Sequence, residues 1–574
     1  MVSSFLRVSL IIDAILGEVT LTRRRKKLDE MIKSEDLGEA YAATLSRIKA
    51  QPEGRSKLGM DVLMWVSHAQ RPLHTDELCH ALGVAEGSID LNTRNIPTIE
   101  TLLACSLGLV TVEKPSSRVR FVHHTLQEYL SHNPNLFLKP HSMIAEVCLT
   151  YLNFRHVKGL SPALRAAPPT APFVEYASCY WGTHVRQEST DSVKTLALKL
   201  LYVFDKHISS KMLLLDGMRA LDGPFDPEDT PIGFTGLHGA SYLGCEEIVV
   251  ALLETNKWDV QGIDFNGNTA IAWAARRGHA GVVGALLQQS DVNPNTTDTT
   301  YGQTPLSLAA KNGHEGVVRI LLERGDVNPD KGDKWTRTPL LLAAENGHEG
   351  AVRMLLERND VHPDKVDDWS QTSLLRATEN GHEKVVKRLL ERSDVNPDKA
   401  NKWSQTPLTL AAKNGHSGVV RMLLERSDVN PDKVGDWSRT PLLWAAMNGH
   451  EGVVKMLLER NDLNADKADE WSRTPLSLAA ENGHGGVVRV LLERSDVNPN
   501  ISDTTFGQTP LSWAAMKGHE GVVKMLLDRN DVDLDIADRR SRTPLMWALE
   551  NGHKAIAELL RELTESVPKY APSP

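Results

Sequence analysis

The sequence has few cysteines, and their spacing excludes the common cysteine-based sites. Five cysteines are scattered over 574 residues without a C-x-x-C pair. Zinc sites and disulfide frameworks need closely or regularly spaced cysteines, so the sequence predicts neither. Isolated cysteines are typical of proteins in a reducing compartment.

No apolar run in the N-terminal region is long enough to span a bilayer. The run at residues 5–16 is interrupted by Arg7 and Asp13, and a spanning helix needs roughly 20 apolar residues. It also lacks the preceding positive charge and the cleavage site of a signal peptide. We therefore expect a cytoplasmic protein, while the basic run at residues 23–27 leaves nuclear import open as an alternative.

The motifs of several enzyme classes are missing too. The chain contains no P-loop string G-x-x-x-x-G-K-[ST] and no H-E-x-x-H, which would bind phosphates or zinc. The nearest approach to the serine-hydrolase elbow G-x-S-x-G is Gly-His-Ser-Gly at residues 415–418, which does not fit. We expect no catalytic residue, cofactor or metal, and the net charge of -9 does not favour nucleic acid as a partner.

A unit of 34 or 35 residues recurs from about Thr235 to the end of the chain. It reads T-P-L-x-x-A-A-x-N-G-H-x-x-V-V-x-x-L-L, and nine glycine–histidine pairs mark its copies, from residues 278–279 to 552–553. Threonine and proline suit a helix start, and glycine suits a helix end. The V-V-x-x-L-L spacing predicts a second helix with one apolar stripe, which a single unit cannot bury without stacked neighbours.

This unit, with the D-V-N that follows it, resembles the ankyrin repeat, and about ten copies cover more than half of the chain. The resemblance implies a mainly α solenoid whose concave face holds partner proteins. Two features depart from the family. The histidine usual after T-P-L is replaced by serine, leucine, threonine or methionine, so its hydrogen bonds must be absent or replaced. The finger loops between repeats are long, and their tips carry aromatic residues: Tyr301, Trp335, Trp369, Trp403, Trp437, Trp471 and Phe506.

This aromatic row has two compatible interpretations. Each ring could pack against the neighbouring finger and stiffen it. Alternatively, the row could form binding hot spots, because tryptophan combines a large contact area with a polar N–H group.

Comparison of the copies shows that variation is concentrated on one face of the first helix. In the copy starting at Thr304, this face carries Leu308, Lys311 and Asn312, at i, i+3 and i+4. We expect these positions to point away from the stack, and drift at exposed positions is the alternative explanation. The residues predicted to contact a partner are Trp273, Arg276, Arg277, Lys311, Asn312, Trp335, Glu345, Trp369, Arg376, Glu379, Trp403, Lys413, Trp437, Trp444, Met447, Trp471, Glu481, Trp513, Met516, Lys517, Trp547 and Glu550.

Two copies differ in character from the rest. The copy at residues 372–378 lacks the helix-starting proline and has Thr378 where alanine should pack, which predicts a local weak point. In the last copy, Lys554, Glu558, Arg561 and Glu562 give the final helix a polar outer side, as a terminal cap requires. The proline-rich tail at residues 566–574 is predicted to be disordered.

The region before the repeats has the order of a winged-helix domain. Helices are predicted at residues 58–68, from residue 75 and at 97–106, followed by strands at 109–113 and 118–122. The phrases R-P-L-H-T-D-E-L-C-H-A-L-G-V and V-H-H-T-L-Q-E-Y-L resemble the winged helix of fungal NACHT-ankyrin proteins, the type named after GPI inositol-deacylase. We do not take that name as an activity.

These observations predict five segments: a NACHT-like helical tail at 1–56, a winged helix at 57–135, a helical linker at 136–228, ankyrin repeats at 229–565 and the tail. We expect a non-enzymatic scaffold or sensor that binds proteins. One alternative is the C-terminal regulatory part of a NACHT-type signalling ATPase. A DNA-binding regulator is a further alternative, although the candidate recognition helix offers Thr98, Glu100 and Thr101 without Lys or Arg.

Overall fold

The computed structural model describes residues 37–164, 166–220 and 232–566, which are mainly helical. The chain forms two compact units, one from residues 1–293 with 298–300 and the other from 294–297 with 301–574. The runs at residues 5–16 and 23–27 and the tail from 567 lie outside the described residues. No helix in the described part of the chain is long and apolar enough to cross a membrane.

The first unit begins with the predicted winged-helix order. After a helix at Leu37–Lys49, the helices Glu53–His68, Thr75–Leu82 and Ile99–Cys105 precede the strands Val110–Glu113 and Arg118–Phe121, and the helix His124–Ser131 follows. The two strands pair antiparallel, with Val110 opposite Phe121. Each predicted element of this domain is confirmed.

A helical bundle follows within the same unit. Its helices are Pro140–Leu152, Arg155–Lys158, Val174–Gln187, Asp191–Leu201 and Ile208–Ala220. Trp65, which is 1% exposed, meets Phe173 and Tyr176 edge-on at ring distances of 5.7 and 6.1 Å. These contacts join the winged helix to the bundle through one aromatic core.

Three histidines meet at this junction. The ring of His68 lies 5.2 Å from that of His141, and Nδ1 of His141 lies 2.9 Å from Nδ1 of His184. The other nitrogen of His184 lies 3.0 Å from the hydroxyl of Tyr176. Burial, together with the neighbouring rings of His141 and His68, lowers the pKa of His184 to about 3.

Two repeats belong to the first unit, with helix pairs at Gly236–Leu243 and Glu246–Glu254 and at Ala270–Arg277 and Ala280–Leu287. The earlier copy retains a histidine at the position that the later copies have changed. Nδ1 of His238 lies 2.8 Å from Oγ1 of Thr235, and its Nε2 lies 3.0 Å from the carbonyl of Gly262. This copy therefore keeps the bridge from helix start to finger loop.

The second unit contains eight repeats, each with two short helices. Their first helices pack against one another in sequence order, and so do the second helices. The pairs are Pro305–Lys311 and Glu315–Leu322, Pro339–Glu345 and Glu349–Leu356, Ser373–Glu379 and Glu383–Leu390, Pro407–Asn414 and Ser417–Leu424, Pro441–Met447 and Glu451–Leu458, Pro475–Glu481 and Gly485–Leu492, Pro510–Lys517 and Glu520–Leu527, and Pro544–Glu550 and Lys554–Ser566.

The predicted caps explain where the first helices begin and end. Oγ1 of Thr304 accepts the N–H of Ser307 at 3.1 Å, and Pro305 follows at the first helical position. The glycine after the helix adopts a left-handed backbone, with φ of 77° at Gly449. The serine or threonine that replaces the family's histidine makes a smaller contact, as between Thr406 and Thr409 at 3.0 Å.

The histidine of each glycine–histidine pair joins adjacent repeats. Nε2 of His450 lies 3.0 Å from the carbonyl of Lys413 in the repeat before it, and His484 makes the equivalent contact with Met447. These histidines lie in the turn between the two helices of their own repeats. The hydrogen bond of each histidine also connects it to the previous repeat, where it satisfies a carbonyl at the end of the first helix.

The copy at residues 372–378 folds as its neighbours do. Its helix Ser373–Glu379 starts at Thr372, whose Oγ1 accepts the N–H of Leu375 at 3.2 Å, without proline. Thr378 is fully buried, and within the described structure its hydroxyl has no hydrogen-bond partner. An unsatisfied buried hydroxyl costs free energy, so the predicted weakness has a physical cause in an otherwise regular repeat.

Candidate functional site

The finger loops end in short turns, which we call fingertips, and seven of the nine have aspartate at the first position. The first positions are Asp264, Asp298, Asp333, Asp367, Asn401, Gly435, Asp469, Asp503 and Asp538. At residues 333–337, one carboxylate oxygen of Asp333 accepts the N–H groups of Trp335 and Arg337 at 3.0 and 2.9 Å. This bonding closes the turn and fixes the direction of Trp335.

The second carboxylate oxygen of the fingertip acid accepts a hydrogen bond from a nearby side chain. Asp333 accepts Nε of Arg337 at 2.9 Å, and Asp469 accepts Nη2 of Arg473 at 2.9 Å. In other repeats the donor comes from the first helix: Nε1 of Trp273 donates to Asp264 at 2.7 Å. The fingertip acid is therefore a buried hydrogen-bond acceptor for side chains of its own turn or of the first helix.

Backbone hydrogen bonds link each fingertip to the next. The N–H of Lys402 donates to the carbonyl of Trp369 at 3.2 Å, and that of Asp436 donates to the carbonyl of Trp403 at 3.2 Å. The N–H of Glu470 continues the series to Trp437 at 3.1 Å. The tryptophan row is thus held in a fixed register by main-chain bonds.

The fingertip rings differ in exposure. Trp335, Trp369 and Trp471 are half-buried, and the guanidinium groups of Arg337 and Arg473 lie over Trp335 and Trp471 at 4.9 and 4.8 Å. Packing within the fingers therefore accounts for much of their surface.

The rings of Trp403, Trp437 and Phe506 are more open. Their exposed fractions are 41%, 50% and 51%, although Lys402 lies over the ring of Trp403 at 4.6 Å. These three side chains carry most of the apolar surface that the fingertips present to solvent.

The expected exposure of the first variable helix position is wrong. Leu308 is 2% exposed, and the rings of Trp273, Trp444 and Trp513 are 5–7% exposed. Finger-loop rings pack against two of them: the ring of Trp437 lies 6.2 Å from that of Trp444, and the ring of Phe506 lies 6.1 Å from that of Trp513. Among the residues predicted to contact a partner, Met447 and Met516 are half-buried, three residues after the buried Trp444 and Trp513.

The other predicted helix positions are at least partly accessible. The exposed ones are Arg277, Lys311, Lys517 and Glu550, and the half-buried ones are Arg276, Asn312, Glu345, Arg376, Glu379, Lys413, Glu481 and Trp547. Several are engaged within the protein: Arg376 lies 3.1 Å from Asp367, and Nε1 of Trp547 donates to Asp538 at 3.2 Å. Their role in partner binding stays a prediction.

Electrostatics favour the ionised form of one fingertip acid, Asp538. Burial alone would raise the pKa of Asp538, but the N–H groups of Arg542 and Arg540 and the charge of Arg542 outweigh it, and the pKa is lowered. Nη2 of Arg542 lies 3.1 Å from this carboxylate. The pair stays charged at neutral pH.

The sequence prediction missed one fingertip residue, Arg439. It is 8% exposed and lies over the rings of Trp437, Trp444 and Trp471 at 5.2, 4.7 and 5.8 Å. Burial lowers its pKa, and the neighbouring Arg473 adds to the effect. The signal that could have found it is the alignment of fingertips, in which Gly435 alone has no side chain at the first position.

Comparison with known proteins agrees with this architecture. The family model "GPI inositol-deacylase, winged helix domain" matches residues 45–138. A search of curated proteins found no match. The model "Ankyrin repeats (3 copies)" matches residues 211–298, 283–367, 359–434, 427–503 and 494–569, which together span more than half of the chain. These repeats support a role in protein–protein interaction. The chain belongs to the ankyrin repeat family.

Proposed function

We propose that the protein binds a partner protein along the fingertips and first helices of its second unit. The observation that carries this proposal is the exposure of Trp403 and Trp437, at 41% and 50%, on neighbouring fingertips joined by a main-chain hydrogen bond. Tryptophan is enriched at binding hot spots, and fixed rings lose little entropy when a partner covers them.

The surroundings of the two rings suit an interface centre. Val434 on the same finger is 43% exposed, and Met447 on the first helix below is half-buried. Charged side chains of Lys402 and Lys413 flank them, with Lys413 over the ring of Trp444 at 4.8 Å. An apolar centre with a polar rim is the usual composition of a protein interface.

The finer role of scaffold or sensor rests on this surface and on the number of repeats. Fixed repeats present the surface without a folding step, so the ordering cost of binding is low. No step of this proposal requires catalysis, a cofactor or a metal.

A peptide selection tests the proposal. The full chain is used to select peptides from a random dodecapeptide phage library, and the enriched peptides are measured against the variant W403A/W437A. We expect the double variant to weaken binding by at least tenfold, since two hot-spot side chains are each worth roughly 1 kcal/mol or more.

A matched variant on the second helices separates this surface from general loss of structure. Leu390 and Met422 line a cleft formed by the second helices of two neighbouring repeats, and L390A/M422A should keep binding within twofold. Equal binding by wild type and W403A/W437A, or a selective loss in L390A/M422A, would overturn the proposal.

A further inference from the structure

One fingertip has no side chain at the position where its neighbours carry an aspartate or an asparagine. The first position is Asp or Asn in eight fingertips and glycine at Gly435. In the fingertip at residues 469–473, Asp469 fixes the turn by accepting the N–H groups of Trp471 and Arg473, both at 3.0 Å. Gly435 offers no such acceptor, although the fingertip at residues 435–439 keeps the same tryptophan and arginine.

The first consequence is a buried arginine with incomplete pairing. The closest ion pair of Arg439 joins its Nε to Asp469 at 3.6 Å, which is longer than a hydrogen bond. Asp469 already accepts Nε and Nη2 of Arg473, at 3.0 and 2.9 Å. Within the described residues, the buried Nε of Arg439 has no hydrogen-bond partner.

The second consequence concerns the tryptophan of the first helix. In two repeats where the fingertip has aspartate, the equivalent indoles of Trp273 and Trp547 donate to it at 2.7 and 3.2 Å. Nε1 of Trp444 is buried and has no acceptor in the part of the chain that the structure describes. Nε1 of Trp513 is also buried without an acceptor, so an unpaired indole by itself does not distinguish this repeat from the others.

The third consequence is the conformation of the loop. Without the acid, Trp437 and Ser438 both adopt left-handed backbone, with φ of 58° and 54°. The tip at residues 469–473 needs this conformation only at Ser472. A left-handed non-glycine residue costs free energy, and here it accompanies the most exposed of the five fingertip tryptophans.

These features occur at one fingertip. Arg439 and Trp444 lack the carboxylate that the aspartates supply in other repeats, and the half-exposed ring of Trp437 lies beside them. We propose that this fingertip is a receptor for a carboxylate side chain, aspartate or glutamate, of the partner protein. The carboxylate would accept from the guanidinium of Arg439, as Asp333 accepts from Arg337. This inference rests on the proposed function and names the chemistry of the partner segment.

The charges around the receptor agree with an acidic ligand. Lys413 lies over the ring of Trp444, and Arg473 lies over that of Trp471. Arg473 is already paired with Asp469, which is also the one acid in ion-pair contact with Arg439 among the described residues. Glu470 acts on Arg439 only at longer range. A carboxylate suits the site because planar guanidinium and carboxylate groups match in geometry.

The substitution Gly435→Asp tests the inference by restoring the internal acid. The backbone at Gly435 is open to any residue, because φ is -104°. An added Cβ would lie 3.1 Å from the carbonyl of Ser404, a tight contact that requires a small shift of that backbone and is the same for Asp and Ala. We expect dodecapeptides selected on the full-length wild type to be enriched in Asp and Glu. G435D should bind these peptides at least tenfold more weakly, since a charged hydrogen bond is lost to an internal competitor.

Gly435→Ala is the matched control, because it adds the same Cβ without the carboxylate. It should retain binding within about twofold, and both variants should unfold at temperatures no lower than the wild type by more than a few degrees. Enriched peptides without acidic residues, equal binding of acidic peptides by G435D, or equal losses in G435A and G435D would each overturn the inference. Those outcomes leave the proposed function standing if W403A/W437A still loses binding.

Discussion

At the scale of single residues, the environment of a fingertip side chain depends on whether its neighbours supply a hydrogen-bond partner. The fingertip acids fix a turn and anchor a side chain with the same carboxylate, as Asp333 does for Arg337. The fingertip at Gly435 has no such carboxylate. Arg439 holds the same position in this fingertip as Arg337 does in its own, but it lacks the acceptor that Arg337 has. A single missing side chain can therefore create a binding feature without any new functional group.

The histidine cluster of the first unit gives a pH prediction at the residue scale. His184 is fully buried, and its pKa is lowered to about 3 by burial and by His141 and His68. An unfolded histidine titrates near 6.5, so protons bind the unfolded state first as the pH falls. The contribution of His184 to the free energy of unfolding is therefore complete above about pH 6.5, and it is lost as the pH falls from there to about 3.

We expect the first unit to be less stable at pH 5 than at pH 7 by roughly 2 kcal/mol from His184. The measurement is urea unfolding of the full chain, followed by hydrogen exchange in peptides spanning residues 174–187. In H184Q, the pH dependence should be smaller by this amount, whatever the variant's stability at pH 7. An unchanged pH dependence in H184Q would show that His184 is not the titrating group.

The helices and turns of the repeats could be predicted closely from sequence. Threonine, proline and glycine act within one turn of the chain, so their effects are visible in the repeat itself, and the helix starts at Thr304 and Thr440 are confirmed. The burial of Trp444 could not be predicted in this way. It depends on contacts with the finger loop, such as those with Trp437 and Arg439, and helical periodicity alone contains no information about that loop.

The glycines of the repeat give a prediction at the element scale. Gly449 has φ of 77°, and an added Cβ would lie 2.7 Å from the ring of His484. We expect G449A to destabilise the second unit by about 2 kcal/mol or more, from left-handed strain and loss of the contact between repeats. Gly521 lies inside the helix Glu520–Leu527 with nothing within 4 Å of an added Cβ.

G521A is therefore the matched control, and it should be neutral or stabilising by up to about 1 kcal/mol, because alanine is the better helix former. Thermal and urea unfolding of both full-length variants check the pair. Similar stability changes in the two variants would contradict the assigned role of the left-handed glycine.

At the scale of the whole molecule, the repeats offer more recognition surface than the winged helix does. In the winged helix, the exposed charged side chain of the helix Ile99–Cys105 is Glu100, and no basic residue lies on that helix. A phosphate backbone needs cations at such a position. The exposed rings and the under-paired arginine lie in the second unit, so we expect recognition to take place there.

Photo-crosslinking tests this central claim most directly. A photoreactive phenylalanine analogue is placed in the full chain either at Lys402, which is exposed beside the fingertip rings, or at Met422 on a second helix. Each protein is irradiated with a peptide selected on the wild type. We predict crosslinking from position 402 and little from position 422. Crosslinking from position 422 alone, or equally from both positions, would contradict recognition at the fingertips.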